Sequence, residues 1–278
     1  MNKLTQAKRV QVIAALVEGN SVRTTCRMTG TCKKAVLKLL VDLGTACARY
    51  QDEHLRNLPC KRIQCDEIWS FCYAKEKNVP EEMKGKLGFG DVWTWVALCA
   101  DTKLIPCWTV GNRSGATAKK FIDDLATHLR DRIQLTTDGY HVYLSAVDGA
   151  FGSDIDYAML DKIYANPPKK DTQRYSPAEC CGTRKITVMD NPDPAHVSTS
   201  FVERQNLNMR NMRMSMRRMT RLTNGFSKKI DNQAHAVALH FMHYNFARVH
   251  QTLRVTPAME AGIADHIWTL EEIVGLLG

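Results

Sequence analysis

Ile133-Gln-Leu-Thr-Thr-Asp-Gly-Tyr140 is the stretch on which the fold class turns. Residues 133–137 read as a short buried strand that runs straight into Asp138-Gly139, and residues 140–147 then carry a helical pattern. Strand, tight turn and helix in that order predict an α/β fold, and an acid at the carboxyl end of such a strand is where open α/β sheets place ligand-binding groups. The same position also suits a turn or helix cap.

The neighbouring segments extend the pattern. Upstream, residues 116–130 form an amphipathic helix with Phe121, Ile122, Leu125 and Leu129 on its buried stripe. Before it, residues 92–99 and 104–110 read as strands joined at Asp101-Thr-Lys, which makes Asp101 a turn residue rather than a ligand. Residues 62–73 form the first strand, with Asp66 and Glu67 adjacent in its middle. Successive strand side chains face opposite ways, so at most one of these acids faces a given site and the other must be solvated or paired. Downstream, residues 155–165 form a fifth strand. An exposed proline-bearing, lysine-rich loop region follows, marked by Asn166-Pro-Pro-Lys-Lys and Asn191-Pro-Asp-Pro.

The first 50 residues have a different period. Thr5 caps a helix with Val10, Ile13, Ala14, Leu16 and Val17 inward, ended by Gly19-Asn20. Residues 21–28 make a short second helix, Thr29-Gly-Thr31 a turn, and residues 32–50 a longer third helix. This is the layout of a helix-turn-helix, with Lys33, Lys34 and Lys38 placed to meet a DNA backbone. A small three-helix bundle with a solvated basic face fits the same pattern. Residues 51–61 read as a linker.

Composition narrows the class. The 278 residues carry 38 Lys and Arg against 29 Asp and Glu, a formal charge of +9, which favours a polyanionic partner, nucleic acid foremost. A hydrophobic fraction of 44% and charged fraction of 24% exclude a disordered or fibrous chain. No apolar run approaches the ~20 residues of a membrane span, and the polar N-terminus lacks a signal peptide's apolar core, so a cytoplasmic location is expected. The ten cysteines show none of the two-residue-spaced pairs of a zinc ribbon and read as reduced, small apolar residues.

Near the C-terminal third, Ser198-Thr-Ser-Phe-Val-Glu-Arg-Gln-Asn-Leu-Asn-Met-Arg210 places Glu203 at the head of a cationic segment. The next acid is Asp231, and Arg204, Arg210, Arg213, Arg217 and Arg218 lie between. Such a carboxylate suits a metal ion beside cations that suit phosphate. Ser200-x-x-Glu203 also fits a helix capping box. The histidines 235, 240, 243 and 250 have no complete zinc spacing and belong to a packing helix with Ala234, Val237, Ala238, Phe241 and Phe246.

Asp66, Asp138 and Glu203 together form a carboxylate set suited to paired Mg²⁺ ions. With Asp66-Glu-Ile-Trp69, Thr137-Asp-Gly-Tyr140, Glu203-Arg-Gln-Asn-Leu207, Arg210 seven residues on, and Tyr244-Asn-x-x-Arg248-x-His250-x-x-Leu253-x-x-Thr256-Pro-Ala258, residues 62–262 resemble the DDE transposases of bacterial insertion sequences, closest to the insertion-sequence-one type. The resemblance implies a ribonuclease H-like mixed five-stranded sheet flanked by helices, as in retroviral integrases. Ahead of it would stand an all-α helix-turn-helix domain (1–50) and linker (51–61), with a helical tail (263–278) behind. It further implies catalysis by Asp66, Asp138 and Glu203 on two Mg²⁺ ions, with Mn²⁺ able to substitute. Double-stranded DNA at element ends and target, a homodimer or higher synaptic assembly, and a bacterial nucleoid-associated location complete the expectation. Many relatives of that type carry a zinc-binding cysteine cluster before the helix-turn-helix, and this chain has none.

Overall fold

A computed structural model describes residues 4–165, 179–210 and 226–278. The chain opens with α1 (Gln6–Val17), α2 (Val22–Thr29) and α3 (Lys33–His54). Hydroxyl caps set the first two: Thr5 Oγ1 accepts from the Lys8 amide at 3.3 Å and Ser21 Oγ from the Thr24 amide at 3.1 Å. Gly30, at φ +65°, turns α2 into α3 in a conformation that a side chain would strain.

The sheet follows: β1 (Arg62–Cys72), β2 (Gly90–Cys99), β3 (Trp108–Gly111), β4 (Gln134–Asp138), β5 (Asp156–Ala165) and β6 (Glu179–Met189), with α4 (Gly115–His128) and α5 (Val142–Phe151) in the intervals after β3 and β4. Its order is β3-β2-β1-β4-β5-β6. β4 runs parallel to both β1 and β5, and the remaining pairs are antiparallel. Beyond it lie α6 (Ser200–Arg210), α7 (Ile230–Met242), α8 (Pro257–Glu260) and α9 (Leu270–Gly275).

Three expectations are corrected. The sheet has six strands, because residues 179–189, placed within a loop region by their sequence, pair along the outer edge of β5. Charged and polar residues interrupt their apolar ones, as suits an edge strand that packs little apolar surface. The lysine-rich stretch 166–170 lies outside the described residues. β3 starts at Trp108 rather than 104: Pro106 has no amide to give, and Ile105 is tied to a side chain instead. Asn245 Oδ1 accepts from the Ile105 amide and its Nδ2 donates to the Ile105 carbonyl, both at 3.0 Å, mimicking a strand neighbour.

Finally, α3 continues through Gln51 to His54, consuming the first part of the expected linker. Gln51 is buried, donating to the Ala238 carbonyl at 3.2 Å and accepting from Asn245 Nδ2 at 3.2 Å. Val12 and Ile13 of α1, Leu43 of α3, the sheet, Phe241 of α7 and Ile273 of α9 share one continuous core. Where α3 crosses α7, Gly44 sits so close that an added Cβ would lie 2.5 Å from His235 Cβ and 2.6 Å from its carbonyl oxygen. The crossing therefore requires glycine.

Asn245 gives a test of this junction. Asn245→Ala strands the Ile105 amide and carbonyl and the Gln51 acceptor in the interior, and each unsatisfied buried group costs about 1–3 kcal/mol. A loss of at least ~3 kcal/mol in urea unfolding is expected. A change below ~1 kcal/mol would show that the network does not hold the junction together.

Candidate active site

The β1–β4 register pairs Cys65 with Thr137, so Asp66, one step on, stands beside Asp138, the last residue of β4. Asp66 takes a hydrogen bond from Asn206 Nδ2 at 2.8 Å, and Asp138 Oδ1 takes one from the Tyr140 amide at 3.1 Å. Two strand residues thus fix two carboxylates, one positioned by α6 and one by the turn into α5.

Gln64 locates α6. Its buried side-chain oxygen accepts from the free amides of Phe201 and Val202 at 2.9 and 3.1 Å, capping the helix from the strand. The start of α6 is thereby held against β1, with Asn206 over Asp66. Glu203 enters on the first turn. It accepts from the Thr199 hydroxyl, and its Oε1 lies 2.6 Å from Lys162 Nζ of β5. In place of the expected box with Ser200, the helix-opening pair is Thr199 and Glu203.

Donor atoms of Asp66, Glu67 and Asp138 lie within 4.8 Å of one another. Strand alternation requires Glu67 to be solvated or paired if Asp66 faces the site; it is buried and paired, its Oε2 3.1 Å from Arg113 Nη2, yet it also reaches the cluster. Glu203 stands outside this close group, although its charge raises the pKa of both Asp66 and Asp138.

Crowding shows in the protonation of these acids. Burial, then the charge of Asp138, pushes Asp66 up to about 6 against the opposing Asn206 hydrogen bond. Burial and Asp138 likewise push Glu67 up to about 7. Asp138 is raised by burial, with the Tyr140 amide and Arg113 opposing. The Tyr143 phenol lies beside Glu67, and Glu67 Oε1 and Tyr143 Oη are both buried with no hydrogen-bond partner in normal geometry among the described residues.

Arg113 has no signal in the sequence. Its Nη2 also lies 3.7 Å from Asp138 Oδ2, and its guanidinium stacks over the rings of Tyr140 and Trp93 at 4.0 and 4.8 Å. Residues distant in sequence hold this cation at the edge of the carboxylate cluster. It partly neutralises the cluster and sits where an approaching anion would meet it.

The remaining predicted contacts are spread more widely. Lys33, Lys34 and Lys38 are exposed on α3, and Lys38 is paired with Asp42 at 2.6 Å. Arg204 and Arg210 are exposed on α6, and Arg210 lies two turns along the face that Glu203 opens. Arg213, Arg217 and Arg218 fall outside the described residues. His240 and His243 are lowered to about 3 and about 4, chiefly by burial, as befits packing residues.

The raised acids set a pH dependence. A folded carboxyl with a raised pKa keeps a proton that the unfolded chain releases, so its contribution favours the folded state at low pH and is lost as pH rises. The relevant window runs from the ordinary values of 3.8 and 4.5 up to about 6 and 7. In metal-free buffer the Tm is expected to fall by several degrees between about pH 5 and pH 8. A Tm that rises over this range contradicts the crowding.

No family model matches the chain, and no curated protein matches it. Among solved structures it is similar to a piggyBac transposase synaptic complex with hairpin DNA, determined by cryo-electron microscopy, at 10% identity and a TM-score of 0.39 over 98% of this chain and 69% of that one. No helix among the described residues is long and apolar enough to cross a membrane.

Proposed function

We propose that this chain is a DNA transposase of the DDE type on a ribonuclease H-like fold. It binds the terminal inverted repeats of an insertion sequence, cleaves at the element ends and joins the freed strands to target DNA. The observation that carries this reading is the meeting of Asp66 and Asp138 on adjacent parallel strands under the helix that Glu203 opens.

The donor set fits a hard divalent cation. It is all oxygen, its acids are crowded enough to be raised, and the buried Glu67 Oε1 has no hydrogen-bond partner among the described residues. Asp66 and Asp138 would hold Mg²⁺, or Mn²⁺ in its place, with Glu203 or Glu67 completing the set. When bound, such ions activate an attacking oxygen and stabilise the leaving one in phosphodiester displacement. Around them Asn206 orients Asp66, Gln64 fixes α6, and Lys162 holds Glu203 in place. Arg113, Arg204 and Arg210 offer charge to the DNA backbone, and Lys33, Lys34 and Lys38 do so from α3. Joining two element ends calls for a dimer or larger assembly.

The test uses duplexes taken from the DNA flanking the gene, end-labelled and incubated with the purified protein, Mg²⁺ and a plasmid target. Nicking at the repeat boundary followed by joined products is expected. Cutting without joining would assign a ribonuclease H-type nuclease instead, and binding without any metal-dependent cleavage would leave only a repressor.

A further inference from the structure

On the far end of α4 lies a second cluster, unrelated to the carboxylates. Among the described residues, Cys107, Asp124 and His128 are the other group whose donor atoms lie within 4.8 Å of one another. Cys107 precedes β3, and Asp124 and His128 are one turn apart on α4, so both side chains leave the same helix face. Cys107 and His128 are buried, and Asp124 is partly open to solvent.

The tautomer of His128 follows from its partner. Nδ1 meets the Leu55 carbonyl, which can only accept, so Nδ1 carries the proton. Nε2 therefore turns its lone pair toward Asp124 Oδ1, 3.6 Å away, with the Cys107 sulfur alongside. Three atoms able to ligate a cation, the Cys107 sulfur, His128 Nε2 and an Asp124 oxygen, thus converge on one point. A backbone carbonyl that fixes the distal nitrogen is the usual support for a metal-binding imidazole. Donors bound at ~2.0–2.2 Å around a tetrahedral ion lie roughly 3.4 Å apart, close to the Nε2 to Oδ1 separation.

We propose that Cys107, Asp124 and His128 bind a structural zinc ion, with a solvent molecule on the Asp124 side as fourth ligand. A sulfur, nitrogen and oxygen set suits zinc rather than the hard Mg²⁺ of the carboxylate cluster. Binding converts the Cys107 thiol to thiolate and releases its proton to solvent, so affinity rises with pH.

The location gives the ion a task. Leu58 N–H donates to the His128 carbonyl at 2.9 Å, Arg130 N–H donates back to the Leu58 carbonyl at 3.2 Å, and Arg56 bonds the Thr127 hydroxyl. Zinc here clamps the segment leaving α3 to the end of α4 and to the approach to β3. None of this depends on the proposed transposase activity.

The test is metal content and cobalt spectroscopy on the full-length protein, purified without chelator from zinc-supplemented medium. One zinc per chain is expected, and Co²⁺ exchange should give a thiolate-to-cobalt charge-transfer band that Cys107→Ser abolishes and His128→Gln weakens at least tenfold in affinity. The carboxylate cluster has no thiolate, so it cannot supply this band. Zinc well below one per chain with no cobalt band would leave His128 and Asp124 as a plain ion pair and overturn the site. A band that survives in Cys107→Ser would place the metal on other cysteines and overturn it equally. Should Cys107→Ser fail to fold, wild-type protein decides: with Mg²⁺ held constant, its Tm falls on treatment with a zinc-selective chelator and returns with Zn²⁺, or the site is absent.

Discussion

Asp138→Asn is expected to lower Mg²⁺-dependent strand cleavage by roughly 10³-fold or more, while the metal-free protein becomes no less stable. The loss follows from removing a charged ligand, since each ~1.4 kcal/mol of lost transition-state stabilisation costs a factor of ten and metal-ligand charge supplies several. The stability half follows from the crowding. Asparagine keeps the shape and can still accept from the Tyr140 amide, but no longer repels Asp66 and Glu67. A variant less active and equally or more stable is the signature of a site built against its own stability. Cleavage within tenfold of wild type would remove Asp138 from the chemistry. Glu203→Gln and Glu67→Gln in the same assay separate the two candidates for the third ligand. The proposed role of Glu203 predicts the larger loss for the first, and the reverse order would assign that role to the buried Glu67.

Gly44→Val is expected to be strongly destabilising although it lies far from this site. At the α3–α7 crossing an added Cβ would meet His235 Cβ, Cα and carbonyl oxygen at 2.5, 2.7 and 2.6 Å. These atoms belong to the helix itself or its first side-chain carbon, so no rotamer change relieves the clash and the helices must separate. Overpacking of this kind costs typically about 1–3 kcal/mol and occasionally more, against a helix-propensity gain of under ~1 kcal/mol. With valine's extra methyls the upper end applies, and a Tm decrease on the order of 5–10 °C should be seen by calorimetry. Gly44→Ala should lie between. An alanine variant as stable as the parent would show that α3 and α7 do not meet as closely as described.

Much of this frame is legible in residue patterns. The Thr5 and Ser21 caps, the β1 and β4 strands and the Asp138 turn all declare themselves locally, through a hydroxyl, an apolar run or a glycine. What escapes a local reading depends on partners distant in sequence. β6 is an edge strand whose polar residues look like loop, and β3 is shorter than its apolar run because Ile105 pairs with Asn245, 140 residues away. At the site, Asp66 and Asp138 are readable from their strands. Arg113 is not, because the rings of Trp93 and Tyr140 and the Glu67 carboxylate converge on it only in space. The proposed zinc ligands lack any recognisable spacing for the same reason: two come from one helix and the third from the approach to a strand.

Gln51 ends as more than a buried amide. It sits on the helix that carries Lys33 and Lys34 and is bonded to Ala238 of α7 and to Asn245, so under the proposed activity α3 would act as a ruler between a gripped duplex and the catalytic sheet. From Lys33 to Gln51 the helix measures roughly 27 Å, about eight base pairs of DNA. Under the proposed activity, the offset between recognised sequence and cut strand is graduated by this helix. Lengthening α3 by one turn should move the cut, whereas a floppy tether would leave it scattered.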